Sequence, residues 1–354
     1  MLNGRCETIQ TYTASWKNHM MPSPAFVTNA KPEGMVPGLH IGLPRTGTKL
    51  LQWHLFAAHP QLYYLGIFDG NPNVRDSRRY SSWRDPYIEE MMQGLILGDL
   101  SKPDLGASRR LAQERVLPHL QQGRVPLLSL ETLSHGTETA RRLRAENLWR
   151  IFGPCRVVLT LRHPVALVES AYRLVLRREN IRFASGRAWY QSVDDWFQDQ
   201  LEYEIFPYLD YARTYKIYSE LFGPESVKVM LFEDLRADPQ RFGRTVCEHL
   251  GIDPGAVGPR QQQHHENRRL SDRQLELIQR VAKSRIAQTF ARATTPGVRA
   301  WLLRPPRRAT GHRSAGLSAA NQRRIAAITA AGNRELVELT GLPLGSYGYP
   351  LDEP

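Results

Sequence analysis

Two short stretches of this chain carry residue types that could grip an anion. The first is Gly42-Leu43-Pro44-Arg45-Thr46-Gly47-Thr48-Lys49. Hydroxyls at Thr46 and Thr48 stand beside Gly47, with cations at Arg45 and Lys49 on either side. Backbone N–H groups at the start of a helix, reinforced by the positive end of its dipole, bind phosphate-like groups. A glycine there lets the backbone approach such a group closely. The second stretch is Arg162-His163-Pro164, with Ser170 further on. A guanidinium can hold a phosphate through two parallel N–H donors. Ser170 falls about two helical turns later, on the face that looks back toward Arg162. Together they suit a ligand with one more phosphate than an ordinary nucleotide offers.

Such residues need elements to aim them. GLHIGL reads as a short apolar strand, PRTGT as a turn, and KLLQWHLFAAHP as a helix with Leu50, Leu51, His54, Leu55 and Ala58 at helical spacing. CRVVLTL reads as a buried strand ending at Arg162, and PVALVESAYRLVLRRE as a helix opened by Pro164 in its first turn. Further strands are expected at QLYYLG, PLLSLE and SVKVMLF. Further helices are expected at PYIEEMMQGLIL, ASRRLAQERVLPHLQQG, TETARRLRAENLWRIFG (capped by Gly153), around 193–222, at DPQRFGRTVCEHLGI and in the C-terminal LSAANQRRIAAITAAGNRELVELT. Continuous apolar strands alternating with helices indicate an α/β chain with a P-loop-like, three-layer fold, a central parallel sheet flanked by helices. Open sheets of this kind bind ligands beyond the carboxyl ends of their strands, where both motifs fall. Residues 1–36 read as an N-terminal extension and 37–345 as the domain, with irregular, acceptor-binding insertions near 67–107 and 290–316.

An ATP- or GTP-binding loop places Lys directly after its second glycine and Ser or Thr after that. Gly42 and Gly47 have the right separation, but Thr48 follows Gly47, Lys49 comes one place late, and Leu50 has no hydroxyl for magnesium. No apolar strand ends in a convincing metal-holding Asp. A nucleotide-dependent kinase is therefore the second reading.

Pro44-Arg45-Thr46-Gly47-Thr48 instead resembles the 5′-phosphosulfate loop of sulfotransferases that use 3′-phosphoadenosine 5′-phosphosulfate (PAPS), and the following LLQ…HPQ is similar to that family. LRHPVALVESAY resembles the family's 3′-phosphate element, with Arg162, His163, Pro164, Ser170 and Tyr172 in frame. VKVMLFEDLRADPQRF resembles a downstream strand-EDL-x-x-DP element, in which Asp238 would cap the next helix and Glu233 and Asp234 would pair with basic neighbours. The resemblance spans roughly residues 38–255. Beyond it, Asn267, Arg268 and Arg269 are candidates for a loop closing over the nucleotide.

The resemblance implies sulfuryl transfer from PAPS to a hydroxyl or amine, with no metal. Its PAPS-binding residues would be Arg45, Thr46, Gly47, Thr48, Lys49, Arg162 and Ser170. Arg45 stands where many relatives have Lys and would stabilise the leaving phosphate, with Lys49 as second cation. In-line transfer also needs a base for the acceptor proton. Cytosolic relatives place a His near the end of the strand between the two motifs, where this chain has Glu131. Glu131 is the first candidate, His135 the second and Asp69 the third. A binding protein without turnover is the alternative from another class. Tyr80, Trp83, Tyr87 and Trp301, with the arginines around them, suit a carbohydrate or glycolipid acceptor.

The bulk composition agrees with these readings. Lys and Arg number 47 against 35 Asp and Glu, a net charge of +12, which attracts anions. The arginine pairs are spread along the chain rather than gathered in one arm, so nucleic acid is not an expected partner. Cys6, Cys155 and Cys247 form no metal or disulfide spacing, and the latter two read as buried core thiols. The N-terminus has no leader-like apolar run and no stretch approaches a membrane span. A cytoplasmic location is expected. Oligomeric state has no signal in the sequence.

Overall fold

Five apolar runs pair side by side as parallel strands. The computed structural model describes residues 34–68, 82–83, 86–181, 190–202, 207–257, 272–286, 289 and 316–352. Its strands in chain order are β1 (Gly38–Gly42), β2 (Leu62–Tyr64), β3 (Ile67–Phe68), β4 (Ser82–Trp83), β5 (Val125–Ser129), β6 (Arg156–Leu161) and β7 (Val227–Leu231). The main sheet has the order β2-β5-β1-β6-β7, and β3 and β4 form a separate antiparallel ribbon. On β1, His40 lies opposite Ser129 of β5, and Gly42 opposite Thr160 of β6. The chain goes from β1 outward past β5 to β2, then crosses back to β6 and β7 on the other side. The order reverses at β1, so the crevice beyond its carboxyl end is the natural ligand site.

Side chains alternate across a strand, and here they feed two cores. Leu39, Ile41, Leu128, Val157, Leu159 and Leu161 enter the larger one. It is filled from α2 (Pro86–Met92), α5 (Glu138–Phe152), α6 (Pro164–Ile181), α7 (Val193–Glu202), α8 (Tyr211–Phe222) and, at the C-terminus, Ala319–Thr340. Val125, Leu127 and Val158 enter the smaller one, against Leu51, Leu55 and Phe56 and the 239–250 helix. The remaining helices are α1 (Thr48–Leu51), α3 (Leu105–Leu111), α4 (Pro118–Gln121), α9 (Phe232–Ala237), α10 (Pro239–Leu250) and α11 (Asp272–Lys283), which makes the C-terminal helix α12. Helices on both faces make the three-layer α/β arrangement expected from the alternating runs.

Helix ends follow the side-chain chemistry of the sequence. Thr137, Asp210, Asp238 and Ser318 each accept a backbone N–H at an N-cap, and Gly153 ends α5. One expectation changes in detail. The helix after Gly47 is α-helical only over Thr48–Leu51 and continues as a π-turn over Gln52–Phe56. The helical piece expected at 86–97 brings Ile88, Met91, Met92, Leu95 and Ile96 into the larger core. Leu344 and Tyr349, near the C-terminus, are buried there too. The residues 1–33, Asp69, Tyr80, Asn267, Arg268, Arg269, the loop 290–315 and Trp301 lie outside the described residues.

Candidate active site

The segment after β1 turns sharply because two residues take left-handed backbone angles. Gly47 has φ 85, and among the described residues Arg45, at φ 71, is the only non-glycine with positive φ. That conformation costs an L-residue about 1–2 kcal/mol, and such strain persists where surrounding contacts over-determine it. The contacts here are specific. Arg162 donates from Nη1 to the Arg45 carbonyl at 2.9 Å, and Arg45 donates from Nε to Ser170 Oγ at 2.9 Å. Gly47 is required for a further reason. A Cβ there would stand 2.5 Å from Leu235 Cδ2 and 3.4 Å from the Phe232 ring, so α9 packs directly on the loop.

Arg162 leaves the end of β6 and is nearly buried, with its guanidinium 4.6 Å from the centroid of Phe232. Its carbonyl accepts the Tyr211 hydroxyl at 2.6 Å. His163 donates its backbone N–H to Glu233 Oε1 at 3.0 Å and its ring Nε2 to the Gly348 carbonyl at 2.8 Å. Tyr349 donates to the other Glu233 oxygen at 3.0 Å, and Tyr347 donates to Asp234. The basic partners expected for Glu233 and Asp234 are thus corrected to a backbone N–H and two tyrosine hydroxyls. The C-terminal segment straps the second motif in place.

The Thr46 hydroxyl is fully buried and donates to the Leu43 carbonyl at 2.7 Å. Thr48 is nearly buried as well, with Oγ1 3.5 Å from the same carbonyl. The groups of the loop left free to meet an anion in this arrangement would be its backbone N–H groups. Lys49 is exposed, with its ammonium 5.4 Å from the Trp53 ring centroid.

Beyond β5, a single 3-10 turn spans Glu131–Ser134 and ends at His135. Ser134 donates to the Glu131 carbonyl at 2.8 Å, and its Oγ also lies 3.4 Å from the Gly42 carbonyl of the neighbouring strand. Glu131 and His135 thus stand at the strand end next to the loop. Burial, helped by the nearby Arg144, holds the His135 ring below the usual histidine range. Arg144 also donates to the His135 carbonyl at 2.7 Å.

Several residues that shape the site escaped the sequence reading. His40, Ser129 and Thr160 are fully buried on the sheet face beneath the loop. His40 Nδ1 lies 2.7 Å from Ser129 Oγ, His40 Nε2 3.3 Å from Thr160 Oγ1, and Thr160 Oγ1 2.8 Å from Thr46 Oγ1. Gln52 adds its amide to Ser129. The available signal was the polar interruption of three otherwise apolar runs. Tyr211 and Phe232, which hold Arg162, had no local signal.

The donor set is cationic and hydrogen-bond donating: Arg45, Arg162, Lys49, Ser170 and the loop backbone. That chemistry fits an anion with two separated charged groups. Among the described residues no cluster of His, Cys, Asp or Glu is arranged to hold a metal ion, and no helix is long and apolar enough to cross a membrane. Residues 39–254 match the family model described as the sulfotransferase family. The chain is similar to the crystal structure of a sulfotransferase from Alicyclobacillus acidocaldarius, at 18% identity over 75% of this chain and 98% of that one, with a TM-score of 0.42. It is also similar to sulfotransferase STF9 from Mycobacterium avium, at 14% identity over 73% and 75% of the two chains, TM-score 0.39. A third similar structure is the sulfotransferase domain from the curacin biosynthetic pathway, at 17% identity over 66% and 80%, TM-score 0.35. No curated protein sequence matches the chain.

Proposed function

We propose that this chain, which belongs to the sulfotransferase family, transfers a sulfuryl group from 3′-phosphoadenosine 5′-phosphosulfate to a hydroxyl or amine of a carbohydrate or glycolipid. The observation that carries the donor reading is the joining of the two anion motifs. Arg45 donates to Ser170, and Arg162 donates to Arg45, across sequence separations of 125 and 117 residues. A loop suited to a 5′-phosphosulfate and an Arg–Ser pair suited to a 3′-phosphate therefore share one crevice at the carboxyl edge of the sheet.

When bound, the donor supplies an activated sulfuryl group for in-line displacement. The residues' tasks follow from charge and position. Loop N–H groups and Arg45 hold the 5′ side, and Arg45 stabilises the negative charge that gathers on the leaving phosphate. Arg is too weak an acid to protonate that phosphate. Lys49 is the second cation. Arg162 and Ser170 hold the 3′-phosphate and orient the nucleotide. Glu131 takes the acceptor proton. His135, whose ring burial and the nearby Arg144 hold below the usual histidine range, is the second candidate for that task, and Asp69 the third. The carbohydrate reading is supported by the aromatic and arginine content of the 67–107 and 290–316 stretches. The cytoplasmic reading is supported by the burial of Cys155 and Cys247 in the two apolar cores.

The test is calorimetric binding of 3′-phosphoadenosine 5′-phosphate against ATP, without magnesium. Tight binding of the bisphosphate, weak binding of ATP and loss of the former in Arg162→Ala are expected. Preference for ATP would move the assignment to a kinase, and no binding of either would end the nucleotide reading.

A further inference from the structure

We propose that His40 is a positioning residue for the loop that follows β1, acting as the Nε2–H tautomer in a one-way chain of hydrogen bonds from Gln52 through Ser129, His40, Thr160 and Thr46 to the Leu43 carbonyl. The proposal rests on the reading of that loop as a 5′-phosphosulfate site. It concerns a residue that the transfer chemistry itself does not use.

The direction of the chain follows from each group having few protons to give. At one end, Thr46 donates to the Leu43 carbonyl at 2.7 Å, and a carbonyl can only accept. The single hydroxyl hydrogen of Thr46 is then committed, so at 2.8 Å Thr160 must be the donor to Thr46. Thr160 in turn has no hydrogen left for His40, so at 3.3 Å the proton lies on His40 Nε2. At the other end, Gln52 Nε2 lies 3.2 Å from the Ser129 carbonyl, which places the amide nitrogen, not its oxygen, on that side. The same nitrogen donates to Ser129 Oγ at 3.1 Å, leaving the Ser129 hydrogen for His40 Nδ1 at 2.7 Å. Both ends demand the same neutral ring, with Nδ1 accepting and Nε2 donating. Full burial, which pushes the ring's pKa down to about 3, favours that neutral form.

With the other tautomer, Ser129 would lose its hydrogen-bonded proton acceptor and Thr160 would turn its hydrogen to His40, so Thr46 could keep only one of its bonds, to Thr160 or to Leu43. The latter bond closes the turn from Leu43 to Thr46, the turn in which Arg45 is held at φ 71. The imidazole is thus the central link between the helix after the loop, three sheet strands and the loop itself. Its edge contact with Phe56, at 5.1 Å between ring centroids, fixes the ring's plane.

Two measurements test this. Long-range proton–nitrogen correlation spectra of histidine-labelled protein at pH 7 should show His40 as a single neutral ring protonated on Nε2. A ring protonated on Nδ1, or on both nitrogens, overturns the proposal. Calorimetry then compares 3′-phosphoadenosine 5′-phosphate with adenosine 3′-monophosphate on the wild type, His40→Phe and His40→Gln. His40→Phe keeps the shape and loses the bonds, so affinity for the bisphosphate should fall about tenfold. Affinity for the 3′-monophosphate, which does not reach the loop, should hold. His40→Gln, which can both donate and accept, should recover to within about threefold. Equal losses for both nucleotides would mean that His40 serves the fold alone. Thr160→Val breaks the same chain and replaces His40→Phe should that variant not fold. If the wild type binds neither nucleotide, the donor reading fails. The tautomer measurement is independent of that result and still decides the chain.

Discussion

Arg45 Nε donates to Ser170 Oγ across 2.9 Å, tying the turn after β1 to the second turn of α6. Neither residue's own neighbourhood calls for this contact. It forms because β1 and β6 are adjacent in the sheet, which brings the two strand-to-helix junctions side by side. The residue that reaches across is also the one in a left-handed backbone conformation.

Replacing Arg45 by Gly should separate stability from function. Glycine removes a backbone cost of about 1–2 kcal/mol, and loss of the bond to Ser170 takes back about 1 kcal/mol. The melting temperature should therefore stay level or rise slightly. Transfer should fall by about 100-fold or more, as when a charge-stabilising donor is removed from other active sites. Thermal denaturation and a labelled-donor assay read the two effects, and a clear drop in melting temperature would show that the loop is not strained at Arg45.

Ser170→Ala should weaken binding of 3′-phosphoadenosine 5′-phosphate by roughly 10- to 150-fold, the worth of one hydrogen bond to a charged group. Combined with Arg45→Gly, the losses should not add, because the two side chains touch. Additive losses in a calorimetric double-mutant cycle would mean that each acts alone.

Glu131→Gln should lower turnover by about 100-fold or more and leave nucleotide-product affinity unchanged. His135→Gln should cost far less. The opposite ranking in steady-state rates would transfer the role of base to His135.

Gly47→Ala should destabilise the fold by about 1–3 kcal/mol, from the left-handed φ and the need to shift Leu235. A Cβ 2.5 Å from Leu235 Cδ2 cannot be accommodated in place. Urea denaturation should show a lower midpoint at an unchanged slope. An unshifted midpoint would refute the packing argument.

His40 also predicts a pH dependence of stability. Its folded pKa is lowered from 6.5 to about 3 by burial, and its ring contacts, Ser129, Thr160 and Phe56, carry no charge. Between those two values the unfolded chain binds a proton that the native chain does not. Stability is therefore intact above about pH 6.5 and declines on acidification toward pH 3, with a slope of up to about 1.4 kcal/mol per pH unit from this residue. His40→Gln should show a shallower decline in denaturation measured between pH 7 and pH 4. An equal slope in both proteins would place the acid sensitivity elsewhere.

The fold was legible because it is written locally. Apolar runs such as CRVVLTL and SVKVMLF are too short and too continuous for surface helices. Caps such as Asp238 and Gly153 mark the helix ends. Of the candidate site, the placement was legible in part: Arg45, Gly47, Arg162 and Ser170 lie at or just beyond strand-to-helix junctions, where a parallel sheet leaves its crevice.

What the sequence alone determined, then, was the set of elements and which candidate residues sit at their junctions, both products of short-range spacing. Only the tertiary structure decided how those residues are used. Thr46 turns its hydroxyl inward because Thr160, 114 positions away, lies beneath it. Glu233 takes a backbone N–H and a tyrosine from the C-terminus instead of a cation. His40, a single polar residue in an apolar strand, becomes the link between loop and sheet because Ser129 and Thr160 flank it on the adjacent strands. A buried polar group must find a partner, but no local pattern in the sequence says which residue that partner will be. That is settled by which strands lie next to each other.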